Sequence, residues 1–223
     1  MILEIDYRIK QLEIEALLTC YHLEEVRGYC GHCSNYGKNY TCPEFDFTTE
    51  DYLKDYHYVT IIRTRIPSDR IKANLQTLKQ MDFPSTVFDR YEGEYKDDCD
   101  KWHKKLSMFI YEQAKDIMTE RLNNMEATFE GGLGLVPGCC TACKVCSKVL
   151  GKACHKEGAL RYSLEALGFL VSDVYKLAFD ETLQWTEDLL PESFGTCSAF
   201  LSKSLLDIEL LQAELKGMVI QIG

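Results

Sequence analysis

Between Leu3 and Val26 apolar residues recur at Ile5, Ile9, Leu12, Ile14, Leu17 and Leu18, a spacing that predicts an opening amphipathic helix ending near Gly28. From Tyr29 to Phe47 the periodicity vanishes. That stretch is rich in Cys, Gly, Asn, Tyr and Pro, and reads as a loop held by something other than its own backbone hydrogen bonds. Thr48 or Thr49 can cap a short helix through Asp55, with Glu50 and Asp51 in the turn where the helix dipole favours acids. His57–Ile66 is β-branched, partly alternating and stopped by Pro67, which predicts a strand. Helical spacing returns from Ser68 to Met81 and, over a longer span, from Asp97 to Met125.

Ala127–Val136 predicts a second strand running into Pro137-Gly138. Beyond it, Glu157–Leu167 reads as a helix stopped by Gly168, Phe169–Val174 as a third strand able to shift into a helical turn, and Gly217–Gly223 as a final alternating strand. Strands separated by helices in this irregular order predict an α+β fold, or a three-layer α/β one. The expected architecture is a mixed sheet flanked by helices, with the cysteine loops on one side. No Pro/Gly/Ser-rich or low-complexity linker divides the 223 residues, so residues 1–223 are expected to form a single domain.

Hydrophobic residues make up 46% and charged residues 27%, values of a folding chain rather than a disordered one. The formal net charge is −10, with Lys and Arg scattered and no basic stripe, which argues against nucleic acid as a partner. An acidic surface suits a basic redox partner. Charges interrupt the apolar pattern of the first ten residues, unlike the core of a signal peptide, and no segment approaches the roughly 18 apolar residues of a membrane span. The expected location is the cytoplasm, away from membrane. Eleven cysteines in that reducing compartment point to metal ligation rather than to a disulfide framework.

The cysteines carry the chemistry. Cys140, Cys143, Cys146 and Cys154 form a C-x2-C-x2-C-x7-C run. Three thiols at three-residue steps let the chain wrap one inorganic core, and a fourth closes the cage, so the run predicts an iron–sulfur cluster, [4Fe-4S] in type. Cys30, Cys33 and Cys42 form a second group, C-x2-C-x8-C-P, that lacks a neighbouring fourth cysteine. Its fourth ligand is Cys20, Cys99, Cys139, Cys197, His22 or His32 brought in by the fold, or else one iron stays open to a substrate as a Lewis acid. Zinc is the alternative metal. The Cys30 group with a histidine satisfies a structural zinc pattern tolerably, and the Cys140 run does so poorly.

At these loops the chain resembles a family of predicted metal-binding proteins, mostly from anaerobic bacteria and archaea. The matching residues are Cys30, Cys33, Tyr36, Gly37, Cys42 and Pro43, then Gly138, Cys140, Cys143, Cys146 and Cys154, and finally Arg161, Ser163, Glu165 and Gly168. The resemblance implies metal or iron–sulfur binding by the seven cysteines, and it carries no reaction or substrate with it. Two positions depart from the pattern. Pro43-Glu44 stands where the family often has Pro-Pro, and His155-Lys156 where Arg and Pro are common.

Around the cysteines, Tyr36 and Lys38 lie between Cys33 and Cys42 and are the polar groups in range of anything bound there. Ser163 reads as a helix cap and Arg161 with Glu165 as an ion pair, Arg161 being also a candidate donor to cluster sulfurs. Cys99, among Asp97, Asp98 and Asp100, reads as a spare thiol. The glycines from Gly131 to Gly138 match no nucleotide loop. The expected function is electron transfer to a partner enzyme by one or two [4Fe-4S] clusters. The alternatives are an iron–sulfur enzyme with a small-molecule substrate at the Cys30 group, for sulfur abstraction, dehydration or reduction, and a zinc-stabilised interaction module.

Overall fold

The computed structural model describes residues 1–33, 35–80, 101–143, 145–183 and 190–222. A four-stranded sheet forms the centre, in the order β2 (Asp6–Glu13), β3 (Tyr58–Pro67), β5 (Ser193–Ser202) and β4 (Leu133–Leu135). A second, two-stranded sheet pairs β1 (Ile2–Glu4) with β6 (Val219–Gln221). Every pairing among these strands is antiparallel, where a mixed sheet would carry a parallel pair. Helices and sheets together make an α+β fold.

The two faces of the central sheet carry separate cores, and the alternation of β3 and β5 assigns residues to each. Ile62, Ile66, Phe194 and Phe200 pack with the long helix α6 (Lys101–Thr128), which buries Leu106, Ile110, Ala114, Met118, Leu122 and Met125. Helix α8 (Ile208–Leu215) and the small sheet join this side through Leu211, Leu215, Leu3 and Ile220. Val59, Ile61, Cys197, Ala199 and Leu201 face the other side. There they meet α1 (Ile14–Leu18) and α7 (Val171–Phe179) through Leu17, Val174 and Phe179. Gly134 is required where β4 passes α6, since a Cβ there would lie 2.9 Å from the Cβ of Leu122.

Several expectations need correction. The opening helix is instead β1 and β2, followed by the short α1 and by α2 (Leu23–Cys30). Asp6–Glu13 alternates exposed Asp6, Arg8 and Lys10 with half-buried Tyr7, Ile9 and Gln11, and all eight positions pair with β3. Ile5 and Ile9, four positions apart, satisfy both periods, and the long-range pairing decides between them. The 68–81 helix divides at Asn74 into α4 (Asp69–Ala73) and α5 (Leu75–Leu78). Helix α6 continues to Thr128, which shortens the expected 127–136 strand to β4. Glu157–Leu167 holds a 3-10 turn at Glu157–Ala159 and no helix, and the expected strand at Phe169–Val174 is largely the start of α7. By contrast, the short helix α3 (Thr49–Leu53) has its Thr48 cap, whose Oγ1 accepts the Asp51 N–H at 3.1 Å. The β3 and β6 strands also stand where the pattern put them. Residues 81–100, Cys99 among them, lie outside the described residues.

Candidate metal centre

The first cysteine loop leaves the C-terminal end of α2 in successive tight turns. The Cys33 N–H donates to the Cys30 carbonyl at 2.9 Å, Tyr36 N–H to Cys33 at 3.0 Å, and Cys42 N–H to Asn39 at 3.1 Å. Its Asn39–Cys42 end is also bonded to the second cysteine loop. Asn39 accepts the Thr41 N–H on its own Oδ1 and donates from Nδ2 to the Cys140 carbonyl at 3.0 Å. The Cys140 N–H donates to Thr41 Oγ1 at 3.0 Å, Tyr40 OH to the Lys152 carbonyl at 2.7 Å, and Lys148 Nζ to the Asn39 carbonyl at 3.1 Å. The loop exits meet as well. Phe45 and Phe47 stack on each other and present both rings to the edge of Tyr162, at 4.8 and 5.3 Å between centroids.

The second loop is closed at its base by the Val136 N–H donating to the Tyr162 carbonyl at 2.9 Å. Gly138, with φ +72°, turns the chain over Lys115 and Tyr111 of α6 and delivers Cys139 and Cys140 to the first loop. Amide N–H groups then point at sulfur, from Ala142 to Cys140 Sγ at 3.5 Å and from Lys156 to Cys154 Sγ at 3.4 Å. Lys156 Nζ donates to the Ala142 carbonyl at 3.2 Å and Ser147 Oγ to the Ala153 carbonyl at 2.8 Å. The Lys156 bond ties the segment just after Cys154 back to Ala142, near the start of the run.

The thiols sense one another. Burial, then the neighbouring sulfurs of Cys139, Cys33 and Cys30, push the Cys42 thiol up to about 12, against the pull of Lys148. Burial raises Cys140 as well; the Ala142 amide opposes it, and Cys139, Cys143 and Cys146 add to it. Cys30 is raised by burial and lowered by Arg27. Crowded thiols resist ionising together until a cation replaces their protons, so loading of such a group releases protons. Seven thiols, amide donors on two sulfurs, and the cations Arg27 and Lys148 beside the Cys30 group fit an anionic thiolate-bound metal group. Among the described residues no three His, Cys, Asp or Glu side chains are already gathered closely enough to hold a metal ion.

Of the fourth-ligand candidates for the Cys30 group, Cys20 and Cys197 are buried in the core between the sheet, α1 and α7. The His22 ring pairs with Asp173 at 3.1 Å and the His32 ring with the Gly28 carbonyl at 2.9 Å. Cys139 is the described thiol at the Cys42 end of the loop. Tyr36 is half-buried and Lys38 reaches solvent. Arg161 is turned away from the cysteines: its Nε and Nη2 hold both oxygens of Glu126, at 2.6 and 2.5 Å, and Glu165 is not its partner. Ser163 caps a turn rather than a helix, accepting the Ala166 N–H at 3.1 Å. Gly168, at φ +94°, presses on Tyr21 and Leu23 where a Cβ would clash at 2.9 Å. Sequence reasoning missed Arg27 and Lys148 as the cations of the site, because both arrive from outside the loop they serve.

A cavity of about 1750 Å³ opens beside this group, with Cys30, Tyr111, Gly138, Glu165, Arg63 and Cys197 among its lining. Glu165 is half-buried at the cavity wall, and its Oε2 is covered and has no hydrogen-bond partner within the protein. Burial raises its carboxyl, so the native state holds a proton that the unfolded chain releases above about pH 4.3. The stability associated with that proton is complete below the unfolded value and falls as pH rises through the raised native one. Glu165→Gln should therefore melt above the parent at pH 8, with the difference vanishing at acid pH. Melting curves across pH check this, and a variant less stable at every pH would contradict it.

No described helix is long and apolar enough to cross a membrane. No curated protein and no solved structure matches the chain. A family model described as predicted metal-binding protein (DUF2284) matches residues 19–195, a span running from before the first cysteine loop to beyond the second, and the chain belongs to that family.

Proposed function

We propose that the protein is an iron–sulfur electron carrier. Cys140, Cys143, Cys146 and Cys154 would hold one [4Fe-4S] cluster, and Cys30, Cys33 and Cys42 would take part in a second. The observation that carries this reading is the seam of hydrogen bonds joining Asn39–Cys42 to Cys140 and Lys148, which places two cysteine groups side by side on one small region. When bound, such a group supplies one-electron redox chemistry. The chain's part is to hold it. The Ala142 and Lys156 amides donate to ligand sulfur, and Arg27 and Lys148 offset negative charge. Val145, Val149 and Leu150 stand exposed around Cys146 and give a partner protein an apolar contact beside the second group.

Zinc is the competing occupant. Protein purified without oxygen should be brown, absorb near about 400 nm and contain iron and acid-labile sulfide. Colourless protein with stoichiometric zinc and no iron would overturn the reading. A second reading, in which the chain is itself an enzyme, is favoured by the cavity that reaches Cys30. It predicts that a small molecule, rather than a partner protein, perturbs the spectrum of the Cys30 cluster.

A further inference from the structure

The Cys30 group has three thiols in its own loop, and a closed four-coordinate site needs one more donor. The seam narrows where that donor comes from. Both backbone polar groups of Cys140 are bonded to residues of the first loop, its N–H to Thr41 Oγ1 and its carbonyl to Asn39 Nδ2, each at 3.0 Å. Thr41 precedes Cys42 and Cys139 precedes Cys140, so these two bonds fix the peptides on either side of Cys140, that joining it to Cys139 among them, against the turn that carries Cys42.

We propose that Cys139 supplies the fourth thiolate of the centre held by Cys30, Cys33 and Cys42, so that the consecutive residues Cys139 and Cys140 ligate two neighbouring centres. Side chains of consecutive residues leave the backbone in different directions, which lets one thiol serve each side of the seam. The inference rests on the metal-binding reading of both groups. It turns the apparent three-cysteine site into a closed one, and leaves the neighbouring cavity to a ligand that does not bond iron.

The test compares anaerobically reconstituted parent, Cys139→Ala and Cys139→Ser proteins. Iron and sulfide content are measured, and each reduced protein is examined by electron paramagnetic and electron–nuclear double resonance with and without 13C-labelled cyanide. The parent should contain two clusters and show no 13C coupling. Cys139→Ala should either lose one cluster, halving the iron, or keep both and acquire a 13C coupling from a newly open iron. Cys139→Ser should keep both clusters with a shifted signal from one of them. A parent that already binds cyanide, or an alanine variant with unchanged iron, spectrum and cyanide response, overturns the assignment. If the parent holds zinc and no iron, the cluster reading fails on its own. Cobalt substitution then decides the ligand, since the thiolate-to-cobalt band of the Cys30 site should fall by about one quarter in Cys139→Ala.

Discussion

Replacing Cys143 and Cys146 together with alanine should remove the centre of the second loop, halve the bound metal and release the loop from its fold. The expectation follows from how little else holds residues 137–161. Among the described residues this stretch contains only the 3-10 turns Ser147–Leu150 and Glu157–Ala159. Its other ties include the Val136–Tyr162 bond at the base, the contacts with Asn39–Thr41, the Thr141–Asp116 and Arg161–Glu126 side-chain bonds to α6, and local bonds such as Ser147 to Ala153. A loop of that length carries a backbone ordering cost of about 1 kcal/mol or more per residue, which a few hydrogen bonds do not offset. Structural metal binding contributes on the order of 10 kcal/mol in small thiolate sites, and that energy becomes folding energy where no preformed site exists. Lys148, Lys152 and Lys156 then become accessible to trypsin. The double variant should be cut there at least ten-fold faster than the loaded parent, while α6 and the central sheet stay protected. Equal cleavage and an unchanged metal content would mean that the second loop folds without its thiols.

The second large effect concerns the ion pair of Arg161 with Glu126, which bears on stability rather than on metal. Glu126 sits near the end of α6 and accepts three donors: Nε and Nη2 of Arg161, and the Gly134 N–H of β4 at 2.8 Å. The two side chains are only 19% and 17% exposed. Breaking a fully buried pair by removing one partner costs roughly 3–5 kcal/mol, and partial wetting reduces that figure here. Arg161→Met should cost about 2 kcal/mol, and Glu126→Ala somewhat more because the Gly134 amide also loses its acceptor. Denaturant midpoints of the two variants and of their combination check the values. A double variant no worse than Glu126→Ala alone is the signature of a shared interaction. Metal content should survive in Arg161→Met if the residue acts on the fold; a loss of metal with unchanged stability would restore Arg161 to the neighbourhood of the cysteines.

The cysteine groups were legible because their information is local. Steps of three residues, a nearby glycine and a following proline mark a metal loop without reference to the rest of the chain. Residues whose roles are set across sequence distance were hidden. Arg161 finds Glu126 rather than Glu165 because α6 passes under the second loop. Lys148 bonds carbonyls more than a hundred positions away. Strand β2 escaped notice because its apolar positions fit a helix until β3 is placed beside it. Strand β5 was missed because Ser193–Ser202 is rich in small and hydroxyl residues and is buried on both faces, which suppresses alternation. The doublet Cys139-Cys140 was visible in the sequence, but only the fold shows that the Cys140 amide meets Thr41, beside Cys42.

That contact also bears on how the protein is assembled. The two loops are separated by α3 to α6 and two strands of the central sheet, so bringing Cys42 to Cys140 closes a chain segment of nearly a hundred residues. The sheet and α6 span that segment, so the closure entropy is borne by the fold as a whole rather than by either cysteine group alone. Whichever group is filled first then stiffens the peptide shared with the other, so the second filling meets an already ordered set of thiols. On the proposed reading of two neighbouring centres, loading should therefore be cooperative, and half-loaded chains of the parent should be a minor species during reconstitution.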